Sequence, residues 1–377
     1  MDAYYMQKVL ENAKKYIGKT SPNPSVAALI VKNNKIIAAG AHKGFGKPHA
    51  ERIAIKKAGK KAKGATLYCN LEPCNHLGQN PPCTDIIIKA GIKKVVFASK
   101  DPNPLVKKNN SVKILKKHGI QVVHGILDKE NKKLNEFYFH FMKTKKPFVA
   151  LKMATTKEGY IADEKGNSFW ITNKTSRQNV HHLRSIYDAV LVGSNTIKKD
   201  NPYLNIRDTG KFPKQRKTNT IIVLDTNLEI SPKSNIFKSK NSKVIIFASK
   251  KTELQNSRTF TRRSSKSIVG PELQVLRSRA TQIIQSPLKR GKINLKYILI
   301  KCASLNISSI LIEGGAQIYE SFLKEKLVQK IFYFQNPKKS FSKGITALKR
   351  KKIPGKQMYK KEFRHKNQSD ILAVYYL

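Results

Sequence analysis

The sequence predicts two consecutive α/β units, on three observations. Short apolar runs of strand length alternate with segments of helical spacing along the chain. The polar stretch Thr144-Lys145-Lys146-Pro147 closes with a proline and divides the chain into residues 1–145 and 147–377, each of ordinary domain size. Forty per cent hydrophobic residues, with 16 Phe and 14 Tyr, suffice for real cores and exclude general disorder.

In the first part, the runs Val26 to Val31 and Ile36 to Ala39 read as strands, and Asn33-Asn34 between them is a hairpin signal. Ala50 to Ala58 has helical spacing, and Thr66 to Cys69 is a short strand. Pro82 to Ala90 is a helix begun by proline. Val95 to Ala98 is a buried strand, followed by a helix around Val112 to Lys117 and the strand Gln121 to Val123. In the second part, strands are expected at Phe148 to Met153, Ala189 to Gly193, Thr220 to Asp225, Val244 to Ala248 and Ser309 to Ile312. Strands near Ile331 and over Ile371 to Tyr375 end the chain. Helices are expected over Asn173 to Ser185, over Leu295 to Leu305 and after Gly315. Ser257 to Arg290 holds six Arg and many Ser with little periodicity, and is read as a surface loop or insertion.

The 74 Lys+Arg against 24 Asp+Glu give a formal charge of +50, which invites a nucleic-acid reading. The distribution argues otherwise. Roughly 61 of the cations are Lys, spread over almost every segment, and Asn and Ile are abundant too. A/T-rich codons encode all three, so the excess is read as genome composition acting on tolerant surface sites, and no specific nucleic-acid partner is expected. No apolar run approaches the length of a membrane span. The start, Met1-Asp2-Ala3-Tyr4-Tyr5-Met6, lacks the basic and apolar stretches of a secretory signal. Four cysteines make no disulfide framework, so a reducing, cytoplasmic compartment is expected. Oligomeric state stays open, a homo-oligomer included.

The strongest chemistry lies in His49-Ala50-Glu51 followed by Pro73-Cys74 and Cys83. One imidazole and two thiolates suit zinc, and three protein ligands rather than four mark a catalytic site. Glu51 is not needed for binding but can shuttle a proton. Pro48 and Pro73 precede His49 and Cys74, so both are expected at helix starts, which favours a thiolate. His76 is a spare ligand or, on the preferred reading, a substrate contact. Cys69 and Cys302 read as buried small hydrophobes. The arrangement matches the H-x-E…P-C-x-x-C pattern of zinc deaminases, except that eight residues, not two, separate the cysteines.

With that spacing the chain resembles the bifunctional deaminase/reductase family of riboflavin biosynthesis. The match runs through Thr20-Ser21-Pro22-Asn23-Pro24, Gly46 to Glu51, Leu71 to His76, Pro81-Pro82-Cys83 and Asp101-Pro102-Asn103-Pro104. It continues through Leu151-Lys152-Met153-Ala154, Trp170-Ile171-Thr172, Val192-Gly193-Ser194, Asp200-Asn201-Pro202, Arg207 and Ile312-Glu313-Gly314-Gly315. The resemblance implies a cytidine-deaminase-like α/β/α domain over 1–145 and a dihydrofolate-reductase-like α/β domain over 147–377. It implies zinc-dependent hydrolytic deamination of 2,5-diamino-6-(5-phosphoribosylamino)pyrimidin-4-one, a phosphoribosyl pyrimidine. NADPH-dependent reduction of the ribosyl chain to a ribityl chain follows. His49, Cys74 and Cys83 would hold one zinc and Glu51 would carry the proton to the departing ammonia. Asn23, His76 and Asn103 fall on positions near the deaminase substrate. Ala154, Trp170, Thr196, Asp200, Thr226 and Gly315 fall on cofactor positions. Ser168, Arg184, Leu204, Arg207 and Glu313 fall on substrate positions, the two arginines being suited to a phosphate. Gly314-Gly315 would let backbone N–H groups approach the NADPH phosphates.

Four departures from the family pattern stand out: Gln79 in place of a basic residue, Thr156-Lys157-Glu158-Gly159 in place of Ser-x-Asp-Gly, Lys107-Lys108-Asn109-Asn110 in place of a glycine-containing stretch, and Thr226 in place of Ser. Two other readings compete: a basic deaminase acting on tRNA-type nucleic acid, and a family member with one inactive domain. The first expects salt-sensitive tRNA affinity and no NADPH binding. If the lysine excess is compositional, neutralising lysines remote from all these motifs leaves turnover unchanged at physiological salt. Steady-state assays of such a charge-reduced variant check this, and a large loss of activity would contradict it.

Overall fold

Apolar alternation along the strands sets the layers of each unit. The structure is a computed structural model and describes all residues except 79, 169, 214, 215, 217, 240, 241, 250–281, 350 and 351. The chain divides into two units, Met1–Lys145 and Lys146–Leu377. Among the described residues no helix is long and apolar enough to cross a membrane.

In the first unit, α1 (Asp2–Lys14) precedes β1 (Ala27–Lys32), β2 (Lys35–Ala41) and α2 (Ala50–Ala58). Then come β3 (Thr66–Leu71), α3 (Cys83–Lys89), β4 (Lys94–Ser99), α4 (Pro104–Asn109), α5 (Ser111–Lys117), β5 (Gln121–His124), α6 (Asp128–Leu134) and α7 (Glu136–Thr144). The sheet order is β2-β1-β3-β4-β5, with β1 antiparallel to β2 and β3, and β3, β4 and β5 parallel. Asn33 and Asn34 both take positive φ, at 49° and 59°, which two-residue hairpin turns require and asparagine tolerates. Residues alternate between faces. Ala28, Ile30, Leu67, Cys69, Val95 and Phe97 pack against α2 and α3. Ala27, Leu29, Val31, Tyr68, Val96 and Ala98 pack against Tyr5, Met6, Val9 and Ala13 of α1. The α/β/α layering follows.

The sequence reading omits α1, α4, α6 and α7, of which α6 buries only the polar Asn131. A buried amide network fastens α6. Asn131 Oδ1 accepts from Asn70 Nδ2 at 2.8 Å and from Asn135 Nδ2 at 2.9 Å, while its own Nδ2 donates to Ser99 Oγ at 2.9 Å. Asn70 in turn accepts from the Ala27 N–H and donates to the Ser25 carbonyl.

In the second unit the elements are β6 (Phe148–Thr155), β7 (Tyr160–Asp163), α8 (Lys174–Ile186), β8 (Ala189–Gly193), α9 (Ser194–Asp200), β9 (Thr220–Leu224) and β10 (Lys243–Ser249). They continue as β11 (Gln282–Ser286), β12 (Leu288–Lys289), β13 (Lys292–Ile293), α10 (Leu295–Ser304), β14 (Ser309–Ile312) and α11 (Ala316–Lys324). β15 (Lys330–Gln335), β16 (Gly344–Thr346), β17 (Lys356–His365) and β18 (Gln368–Tyr376) complete it. The large sheet runs β11-β10-β9-β8-β14-β6-β15-β18-β17. It is parallel from β11 to β15, and β18 and β17 then pair antiparallel. Val149, Leu151, Leu191, Ile310 and Ile312 face α10 and α11, whereas Val190, Val192, Ile221 and Val223 face Ile197 of α9.

The loop expected over 257–290 is corrected for its described part. Residues 257–281 lie outside the described residues, but Gln282–Ser286 is a strand pairing in parallel with β10, with Ile284 packed into one core layer and Ile283 against the other. Asn131→Ala would strand several buried amide partners, so a loss of about 2–3 kcal/mol is expected. A fall in the urea midpoint of the full chain measures it.

Candidate active sites

Proline placement and strand ends assemble the first site. His49 is the N-cap of α2, directly after Pro48, with φ −69° and ψ 159°. Cys74 sits in the connection after β3, and Cys83 is the first residue of α3, whose N-cap is Pro82. The expected helix start at Cys74 is thus corrected: residues 72–75 are irregular, and the second cysteine occupies the helix start instead. His49 Nδ1 lies 3.3 Å from Cys83 Sγ and 3.4 Å from Cys74 Sγ. The three donor atoms are all within 4.8 Å of one another. The Cys83 N–H also donates to Cys74 Sγ.

The two thiols act on each other in opposite directions. Donation from the Cys83 thiol and from His49 pulls Cys74 down to the thiolate side, and the same contact pushes Cys83 up. Such a cluster concentrates negative charge on sulfur, which a divalent cation satisfies at both thiols. One nitrogen and two sulfurs fit zinc and leave a tetrahedral position open. Glu51, in the first turn of α2, is buried, and its Oε2 has no hydrogen-bond partner. Burial pushes its carboxyl up to about 7, a carboxyl poised to gain or lose a proton near neutrality. Cys69 is fully buried beneath, its thiol on the Leu71 carbonyl at 3.1 Å.

Of the other sequence candidates of this unit, Asn23 is linked to the cluster through His42. Asn23 Nδ2 is 3.2 Å from His42 Nε2, and the His42 ring meets His49 edge-on at 5.7 Å between centroids. His76 Nδ1 is buried without a partner. Asn103 caps α4 by accepting at Oδ1 from the Leu105 N–H, so its amide NH2 is the end left for a ligand. Asp101, two residues earlier, accepts from the Asn103 N–H and the Tyr138 hydroxyl. Gln79 lies outside the described residues.

The second site is a cleft of about 1550 Å³ where the carboxyl ends of β6, β8, β9 and β14 meet, the place where open parallel sheets bind ligands. Ala154, Ser168, Trp170, Thr196, Asp200, Thr226, Gly315, Arg184, Arg207 and Glu313 all line it. Leu204 does not: its side chain is buried with Ile197 and Ile221. Gly315 is the N-cap of α11, and a Cβ there would meet nothing within 4 Å, so it would stand in open cleft. A Cβ on Gly314 would press Ile318 at 3.1 Å, and one on Gly193 would press the same side chain at 3.3 Å. Ser168 hydrogen-bonds Asp200, whose carboxyl is raised by burial.

The two arginines of the cleft have different surroundings. Arg184 Nε donates to Glu313 Oε1 at 2.6 Å and Nη2 to Oε2 at 2.9 Å, and Nη1 holds the Asn205 carbonyl. Its Nε/Nη2 side is occupied by a carboxylate, which leaves one hydrogen on each of Nη1 and Nη2 for a ligand. Arg207 is exposed, its guanidinium 5.3 Å from the Tyr203 ring centroid. The sequence reading misses Lys152 and His181, which also line the cleft. Burial lowers Lys152 and, with Arg184 nearby, pushes His181 down to about 4. The available signal was a lysine inside the apolar strand Phe148–Thr155.

Residues 1–99 match the family model "Cytidine and deoxycytidylate deaminase zinc-binding region", and residues 147–339 match "RibD C-terminal domain". Riboflavin biosynthesis protein RibD of Aquifex aeolicus is 40% identical over 338 residues, which is 90% of this chain and 87% of the relative. This chain belongs to the RibD family. The RibD of Escherichia coli is 32% identical over 376 residues, covering 97% of this chain and 96% of that one. A crystal structure from Thermotoga maritima, of a diaminohydroxyphosphoribosylaminopyrimidine deaminase/5-amino-6-(5-phosphoribosylamino)uracil reductase, matches with TM-score 0.79 at 35% identity. The match covers 100% of this chain and 99% of that one. As a RibD protein the chain is a bifunctional enzyme of riboflavin biosynthesis, with a cytidine-deaminase-like domain first and a dihydrofolate-reductase-like domain second.

The Arg184 and Glu313 side chains are 12% and 6% exposed, so Glu313→Ala strands a buried cation and is expected to cost about 3–5 kcal/mol. The apolar double variant Arg184→Met/Glu313→Leu is expected to cost less. Denaturation midpoints of the two variants test the difference.

Proposed function

We propose that residues 1–145 hydrolytically deaminate 2,5-diamino-6-(5-phosphoribosylamino)pyrimidin-4-one, and that residues 147–377 then reduce the ribosyl chain of the product with NADPH. The observation that carries the reading is the His49, Cys74 and Cys83 donor set beside a buried, unpartnered Glu51 carboxyl. The cofactors are zinc and NADPH. His49, Cys74 and Cys83 would hold the zinc, which would supply acidification of water and polarisation of the reacting centre. Glu51 takes a proton at Oε2 from the attacking water and gives it to the departing nitrogen. A C–O bond forms, the C–N bond breaks, and ammonia leaves. Asn23, His76 and Asn103 orient the pyrimidine.

In the second domain Gly315, Thr196 and Thr226 flank the dinucleotide, and Ala154, Trp170 and Asp200 its nicotinamide end. NADPH supplies the hydride. Arg207 meets the substrate phosphate, and Glu313, fixed by Arg184, faces the reacting chain with Ser168 nearby. Leu204 supports this wall from the core. Two of the four cysteines serve as thiolates, which suits a reducing compartment, and we place the enzyme in the cytoplasm.

Incubation with the diaminopyrimidine nucleotide, followed by mass analysis, is expected to give the deaminated product without NADPH and a product two hydrogens heavier with it. Glu51→Gln is expected to slow deamination about 10²-fold or more and to leave reduction of supplied deaminated substrate unchanged. Removal of zinc by a chelator has the same selective effect. Loss of both steps together in either experiment contradicts the assignment.

A further inference from the structure

Next to the zinc-ligand cluster, one imidazole has both ring nitrogens engaged by the protein itself. His42 follows β2 and is 3% exposed. Its Nδ1 is 3.1 Å from the Pro48 carbonyl oxygen, and its Nε2 is 3.2 Å from Asn23 Nδ2. A carbonyl oxygen can only accept, so Nδ1 carries the hydrogen. The ring's partners are a carbonyl and an amide, with no carboxylate hydrogen-bonded to it, and a buried charge without such a partner is costly. The neutral ring therefore presents a bare lone pair at Nε2. Only the NH2 end of Asn23 can meet that lone pair, because the flipped amide would set oxygen against nitrogen.

We propose that His42 is a positioning residue for deamination, fixing the Asn23 amide so that its Oδ1 faces the substrate as a hydrogen-bond acceptor. The inference rests on the reading of Asn23 as a substrate contact. The backbone of Asn23 is held independently: its N–H donates to the Thr20 carbonyl at 2.9 Å, and its carbonyl accepts from Thr20 Oγ1 at 3.1 Å. With the main chain fixed by that turn, the amide's remaining freedom is a flip, and His42 removes it. His42 itself has no ring nitrogen left for the substrate. The site thereby selects an N–H or O–H at this point of the substrate, as the amino groups of a diaminopyrimidine supply. An analogue carrying a carbonyl oxygen there is disfavoured.

A double-mutant cycle tests this on the zinc-loaded full chain, with kcat, KM and zinc content measured for each variant. Asn23→Ala is expected to raise KM about tenfold, the effect of one lost neutral hydrogen bond. His42→Asn keeps a donor for Pro48 but places nothing at Nε2, and should reproduce most of that rise. His42→Gln restores an acceptor for Asn23 and should recover most of it. The double variant Asn23→Ala/His42→Asn should be no worse than Asn23→Ala, with zinc content equal throughout. An unchanged KM in Asn23→Ala sinks the reading of Asn23 as a substrate contact. A raised KM there combined with an additive double variant, or with zinc loss in His42→Asn, overturns the positioning role alone. Where a variant does not fold, nitrogen-15 shifts of the His42 ring in the wild-type protein decide the matter. A protonated Nδ1 with a bare Nε2 is expected, and the reverse tautomer or a doubly protonated ring overturns the proposal.

Discussion

A parallel strand has to be left and re-entered by a crossover, so the loops after β3, β4, β6, β8, β9 and β14 all emerge at the carboxyl edges of their sheets. Several of the candidate site residues hang from those edges. Cys74 follows β3, Asp101 and Asn103 follow β4, and Thr196, Thr226 and Glu313 follow β8, β9 and β14. The antiparallel hairpin β1–β2 plays a different part: it carries the chain from Asn33-Asn34 back to His42 and then, through Pro48, into the helix start at His49. A one-residue slip in that hairpin would move its buried residues to the opposite layer.

The electrostatics of the two sites run against the bulk composition. Against a formal charge of +50, the groups that matter are a buried carboxyl raised toward neutrality, a thiol pair driven in opposite directions, and a carboxylate clasped by one arginine. Each owes its state to burial and to a neighbour within hydrogen-bond reach, where the dielectric is low. Exposed lysines more than a Debye length away are largely screened from such groups. Surface charge remote from the sites therefore acts little on these groups, whereas lysines such as Lys165, Lys199 and Lys296 line the second cleft itself.

Much of this was legible in the chain, for local reasons. The Asn33-Asn34 turn, the parity of Ala27 to Val31 and the prolines at 48 and 82 act over a few residues, and they fix the hairpin, the layers and two of the zinc-site positions. What was illegible is non-local. Arg184 and Glu313 stand 129 residues apart, and nothing in either segment announces that one neutralises the other. Helix α6 is recruited by amide bonds from Asn131 to Asn70, 61 residues away, not by a clear apolar stripe. His42 carries no motif of its own, since its meaning comes from the orientation of Asn23 and Pro48 around it.

Gly193 and Gly314 close β8 and β14, and a methyl group on either would press the same side chain, Ile318, at 3.3 and 3.1 Å. The three positions therefore share one small volume. Its consequence is a coupled tolerance: the size accepted at either glycine depends on how far Ile318 can give, and a smaller residue at 318 would relax both positions at once. That coupling comes from packing and is independent of any ligand contact.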